Sequence, residues 1–145
     1  MLRESTSGSC AIAVKSRFGH AYSEDAFRYL LTLERRRSAR SGRAFLLLLV
    51  DVKEHTGLGV RIDAAPAGRI FARLWGCLRE TDIVGWYRQE RVVAALLTGV
   101  GEAPQPELCR RVRQRVAAPL ADVLPSTASR LLHVRVYQLQ PRVRN

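Results

Sequence analysis

Leu78-Arg79-Glu80-Thr81-Asp82-Ile83-Val84-Gly85-Trp86-Tyr87-Arg88-Gln89-Glu90-Arg91-Val92-Val93-Ala94-Ala95-Leu96-Leu97 is the stretch that decides the fold. A helix ends in Arg-Glu-Thr-Asp, an apolar strand follows, and a short polar turn leads into a second apolar strand. Two apolar runs joined by so short a charged turn read as a β-hairpin, with strands over residues 83–87 and 92–100.

Working upstream, a helix that begins near Pro66 and carries Leu78 feeds the hairpin. Pro66 stands near its start, and Ile70, Phe71, Leu74, Trp75 and Leu78 recur at the spacing of one buried helical face. On that pattern Phe71 and Trp75 read as core residues, not as a ligand box. Thr56-Gly57-Leu58-Gly59 before it is a plain turn, since it is too short for a phosphate loop and lacks the lysine. Residues 45–50, Phe-Leu-Leu-Leu-Leu-Val, form a continuous apolar run ending in Asp51, which predicts a central strand buried on both faces. Ser23-Glu24-Asp25 is a helix start with an N-cap and an acidic first turn. That helix has Phe27, Leu30 and Leu31 on its apolar face and ends by Gly42 in a basic last turn. Residues 1–22 read as an N-terminal arm with one short strand around residues 10–14.

Downstream, Gly101-Glu102-Ala103-Pro104 breaks the chain, and a third helix is expected over about residues 106–118, with Leu108, Val112 and Val116 inward. Pro119 and Pro125 limit its extension. Residues 131–139 read as a last strand in which Leu132, Val134 and Val136 alternate with His133, Arg135 and Tyr137. Residues 23–141 make one domain and 142–145 a tail. The order helix, strand, helix, strand, strand, helix, strand mixes crossover and hairpin connections. It implies an α+β domain, helices packed over a mostly antiparallel sheet.

At 145 residues the chain is long enough to bury a sizeable core. It carries no run of about 20 apolar residues to span a bilayer and no long apolar leader at the start, so a cytoplasmic location is expected. Cys10, Cys77 and Cys109 are odd in number and widely spaced, which argues for free thiols and against a disulfide framework or zinc site. His20, His55 and His133 show no metal-ligand spacing. The net charge is +11, and only Lys15 and Lys53 are lysines, so the basicity is almost wholly arginine. It clusters at Arg35, Arg36, Arg37, Arg40 and Arg43, and at Arg110, Arg111, Arg113 and Arg115. Positive charge favours phosphate-bearing ligands, anionic lipid or nucleic acid. No aromatic residues interleave with the clusters, so a single-strand stacking platform is not indicated and nucleic acid is not the expected partner.

Two motifs resemble the GGDEF (diguanylate cyclase) family. Its hairpin reads roughly Arg-x-x-Asp, five residues, then Gly-Gly-Asp/Glu-Glu-Phe. Here the same frame gives Arg79-x-x-Asp82, five residues, then Arg88-Gln89-Glu90-Arg91-Val92. Leu48-Leu49-Val50-Asp51-Val52-Lys53 is similar to the family's first-strand motif, apolar residues followed by Asp-x-Asp. The resemblance covers roughly residues 23–139 and implies the ferredoxin-like, GGDEF-type sheet that the element order already suggests.

Active members use two magnesium ions held by carboxylates to neutralise a triphosphate and activate a 3′-hydroxyl. The resemblance places Asp51 and Glu90 at vestigial metal positions. Lys53 and Arg91 replace the other acidic residues, Arg88 and Gln89 replace the two glycines, and the early Asp-x-Leu-Thr-Gly-Leu-x-Asn-Arg segment is missing near Phe18-Gly19-His20-Ala21-Tyr22. The resemblance therefore implies a non-catalytic, degenerate domain with no metal and no cofactor. Arg79 and Asp82 match the family's product-binding motif, which implies cyclic di-GMP as ligand, completed by a further arginine such as Arg110, Arg111 or Arg113. An arginine fork suits guanine O6 and N7 or phosphate. The bare residues equally allow Arg79 to offset the helix dipole and Asp82 to anchor the strand entry. The alternative function is a protein-interaction or dimerisation module in which Arg88, Gln89 and Arg91 meet an acidic surface.

Overall fold

The computed structural model describes residues 15–16, 19–54, 60–100, 106–124 and 130–139. The expected strand at residues 10–14, the turn at 56–59, the break at 101–104 and the tail at 142–145, with Cys10 and His55, lie outside them.

Strands β1 (Lys15–Ser16) and β2 (Gly19–His20) form a two-residue antiparallel pair. Helix α1 (Glu24–Ser41) starts where Ser23 takes extended angles and its hydroxyl accepts from the Ala26 amide at 3.3 Å, with Glu24 and Asp25 at the positive end of the helix dipole. It stops where Gly42 adopts φ 76°, a left-handed angle that glycine takes without a Cβ penalty, and donates to Ser38 O. Then follow β3 (Phe45–Glu54), α2 (Ala64–Cys77), β4 (Ile83–Arg88), β5 (Val92–Leu97), α3 (Pro106–Leu120) and β6 (Arg130–Leu139).

The four long strands form one sheet in the order β4-β5-β3-β6, each neighbouring pair antiparallel. Alternation along β3 sends its side chains to two cores, as the apolar run predicted. Phe45, Leu47 and Leu49 meet Phe27 and Leu31 of α1 with Ala94 and Leu96 of β5. Leu46, Leu48 and Val50 meet Ile70, Phe71 and Leu74 of α2 with Val112 and Val116 of α3. The α+β expectation holds: one helix covers one face of the sheet, and two cover the other.

Several boundaries differ from the sequence reading: β3 runs on to Glu54, α2 starts at Ala64, two residues before Pro66, and β6 starts at Arg130. β5 ends at Leu97 and not at residue 100, because the Thr98 carbonyl accepts from the Arg79 side chain and Gly99 turns away at φ 68°. α3 runs to Leu120, with Pro119 inside its last turn. Buried Leu120 anchors that turn, and Arg73 of α2 donates to the Pro119 carbonyl at 2.5 Å, so the end is held from outside. β4 reaches Arg88, one residue further than expected.

The segment before α1 also joins the sheet. Tyr22 N donates to Val84 O at 3.0 Å and Trp86 N donates to Tyr22 O at 2.9 Å, a parallel bridge centred on Gly85. A Cβ built on Gly85 would stand 2.6 Å from the Tyr22 carbonyl oxygen, so only glycine admits this approach. No helix among the described residues is long and apolar enough to cross a membrane.

Candidate functional site

The hairpin tip is fastened on both sides. The ladder shifts register after Trp86, so that Arg88 pairs with Val92, and Arg91 N donates to Arg88 O at 3.0 Å to close the turn. Glu90 takes the left-handed conformation, φ 61°, in the turn. It is held there by Ile62 N donating to its carbonyl at 2.7 Å and by Arg61 against its carboxylate at 2.8 Å. Gln89 N donates to Glu24 Oε1 at 2.6 Å, and Glu24 N donates to Gln89 Oε1 at 3.1 Å. This reciprocal pair uses a free amide at the start of α1, as a local capping box would, but with partners far apart in sequence. Arg28 continues the contact, 3.4 Å from the Glu24 carboxylate and 4.7 Å above the Tyr87 ring. Arg88 and Arg91 are exposed and make no ion pair with any described residue.

Asp51 lies two-thirds of the way along β3, only 6% exposed. Directly across the ladder is His133 of β6, whose Nδ1 is 3.6 Å from Asp51 Oδ1. Arg135, two residues on and on the same face, brings a guanidinium nitrogen to 3.8 Å from the same oxygen. Both separations are too long for hydrogen bonds, and Oδ1 accepts none from the described residues. Glu90, which the sequence resemblance sets beside Asp51, is matched by Arg61 instead. The surroundings do not fit a magnesium pair, which needs several hard oxygen donors. Lys53 stands two residues from Asp51 on β3, and no cluster of three or more His, Cys, Asp or Glu among the described residues could hold a metal.

Arg79 and Asp82 are brought together at the end of α2. Asp82 Oδ2 accepts from the Arg79 amide at 2.8 Å, and Oδ1 faces the Arg79 guanidinium at 3.3 Å. The same guanidinium nitrogen donates to Thr98 O. The Asp82 side chain is 2% exposed, whereas that of Arg79 is 56% exposed. Asp82 therefore fixes the arginine, and the arginine presents the rest of its fork outward. The pair lies in a cleft of ≈ 410 Å³ lined also by Tyr22, Trp75, Leu78 and Ile83.

The further arginine expected at this place is not among Arg110, Arg111 and Arg113, none of which lines the cleft. Arg110 is paired with Glu107 on its own helix. The structure instead puts Arg37, Arg40 and Arg43 around a neighbouring cleft of ≈ 520 Å³ that Gly99 also lines, with Glu34 there paired to Arg37 at 3.6 Å. A Cβ on Gly99 would stand 3.9 Å from Arg79 Nη1, so Arg79 borders this basic hollow too. The sequence shows those arginines only as a cluster of positive charge. Their three-residue spacing toward Gly42 was a usable signal, but the partner at Gly99 was not visible. Cys77 and Cys109 are free, and burial pushes both thiols above their ordinary pKa, which suits inert packing.

The whole arrangement is similar to several solved structures. The diguanylate cyclase SiaD of Pseudomonas aeruginosa, solved in complex with its activator SiaC, matches 90% of this chain with a TM-score of 0.64 at 19% identity. The GGDEF domain of FimX from Pseudomonas aeruginosa matches 90% of the chain and 82% of its own length, with a TM-score of 0.59 at 14% identity. The GGDEF domain of DgcB from Caulobacter crescentus, in complex with c-di-GMP, matches 97% of the chain and 80% of its own length, with a TM-score of 0.60 at 10% identity.

The fold is the GGDEF fold.

The likeness at these identities is one of fold, and the chain spans 52% of the length of SiaD, about half of it. No family model matches the sequence, and no curated protein matches it. In this fold β4 and β5 form the hairpin, Asp51 lies on β3, and Arg79 and Asp82 stand between α2 and β4.

Proposed function

We propose that this chain is a non-catalytic GGDEF-type regulatory domain, working in the cytoplasm, that binds cyclic di-GMP through Arg79. The observation that carries the loss of catalysis is the neighbourhood of Asp51, where Arg135 stands as counter-charge in place of further carboxylates. A guanidinium is always charged, so it opposes a divalent cation at every working pH. Arg88 and Gln89, where the family has glycines, carry side chains at the tip, and Gln89 is spent on Glu24.

Support for the ligand comes from the exposed fork of Arg79, oriented by Asp82, beside a cleft and a second, arginine-lined hollow. In this reading Asp82 acts by holding Arg79, and Arg37, Arg40 and Arg43 add charge for the phosphates. DgcB, similar in fold, was solved with c-di-GMP bound. Isothermal titration of the purified chain with cyclic di-GMP tests the reading: heat is expected with the parent and not with Arg79→Ala. Absence of heat with the parent overturns it. Pyrophosphate release from GTP with magnesium is expected to stay at background.

A second reading is favoured by one feature, the rigid tip. Arg88 and Arg91 project from a turn whose other two residues are tied inward. That geometry suits an acidic protein surface. A partner captured by the parent chain and lost with Arg88→Glu/Arg91→Glu, with no dinucleotide bound, would select it.

A further inference from the structure

One side chain in the Arg79 cleft packs on the core with one side only and lies outside the motif. Phe71 and Trp75 stand four residues apart on one face of α2, and Arg79, just past the extended C-cap Leu78, lines the same cleft as Trp75. Phe71 is a core residue, and the ring of Trp86 from β4 meets it edge-on at 5.2 Å, with 87° between the ring planes. Trp75 stacks on the outer side of Phe71, centroids 5.7 Å apart and planes 29° apart, yet it is only half-buried and lines the cleft. The aromatic row is thus anchored at its core end and open at its cleft end. Next to that open end is a guanidinium fixed by Thr98 O and Asp82.

A flat apolar surface beside a fixed cationic fork matches a planar base that carries phosphate. The indole offers a stacking face to a base, and the fork takes guanine O6 and N7 or a phosphate oxygen. A phosphate ester without a base would leave the indole unused. The geometry points to Trp75 as the base-stacking residue of this cleft, setting its preference for a purine nucleotide over other phosphate ligands. This rests on the ligand reading above and names a residue that the Arg-x-x-Asp motif does not contain. Packing on Phe71 holds the indole in place before a ligand arrives, so little ordering remains to be done on binding.

The test uses the full chain with cyclic di-GMP, followed by titration calorimetry and tryptophan emission. Binding to the parent is expected to change the emission. Trp75→Leu is expected to weaken binding about tenfold, equivalent to about 1.4 kcal/mol, while Trp75→Phe keeps affinity close to the parent's because it keeps a ring. Inorganic pyrophosphate, which has charge and no base, should bind the parent and Trp75→Leu alike. The Phe variant also controls for folding, since both are compared by their unfolding transitions. Parent-like affinity in Trp75→Leu overturns the stacking role and leaves the ligand reading standing. No binding by the parent overturns both.

Discussion

The carboxylate of Asp51 and the guanidinium of Arg135 face each other at 3.8 Å from adjacent strands, with the carboxylate almost wholly buried. A charge on β6 thus balances a charge on β3 inside the sheet. Removing one member of such a pair leaves an uncompensated buried charge, whereas removing both does not. Arg135→Gln should destabilise the fold by about 1–3 kcal/mol, and adding Asp51→Asn should recover part of that loss. A urea-unfolding double-mutant cycle measures the coupling, and strictly additive losses would refute it.

Gly85 is the point of closest approach between the Tyr22 main chain and β4. Gly85→Ala forces a Cβ into a space 2.6 Å from a carbonyl oxygen, so the Tyr22 bridge must give way. The expected loss is about 2 kcal/mol, read as a lower urea midpoint, with faster exchange of the Trp86 amide that Tyr22 O now protects. An unchanged midpoint would show that the approach carries no constraint.

At the hairpin tip, restoring the family's signature should not restore chemistry. A chain with Arg88→Gly, Gln89→Gly and Arg91→Glu regains the glycines and one carboxylate, but His133 and Arg135 still face Asp51. Pyrophosphate release from GTP is expected to remain at background. Measurable turnover in this triple variant would mean that the tip alone had silenced the site.

Asp122, just beyond α3, is bonded to Arg73 at 2.5 Å. That hydrogen bond, and then the arginine's charge, hold its carboxyl below the ordinary value of 3.8. A depressed folded-state pKa contributes stability above the unfolded value, and the contribution is lost as pH falls through the folded value. Asp122→Asn should therefore lower the melting temperature slightly at pH 7, and the difference from the parent should vanish in strong acid. A difference that grew on acidification would contradict the pairing.

The sequence carried the frame because its signals are local. A six-residue apolar run, a capped helix start at Ser23 and a hairpin with a charged turn each announce their element without help from distant residues. Arg79 and Asp82 were legible for the same reason, being three residues apart at a helix end. The contacts that define the site were not legible. Nothing local says that His133 lies opposite Asp51, because that is fixed by strand register, or that Asp82 would be buried while Arg79 stays open. Trp75 read as core by its spacing, and it is core on one side only. Arg37, Arg40 and Arg43 read only as a charge cluster because the hollow they line is completed by Gly99, more than fifty residues away.

The bond pair between Glu24 and Gln89 gives the hairpin a lever arm. Its far end is the first turn of α1, next to the Tyr22 bridge that leads back into the chain before the helix. Loosening the tip by docking or by mutation should unzip that first turn with it, so the amides of Phe27 and Arg91 should open to solvent exchange as one cooperative unit. A molecule seated on the tip would then be felt at the place where the chain enters the domain, without any signal having to cross the sheet.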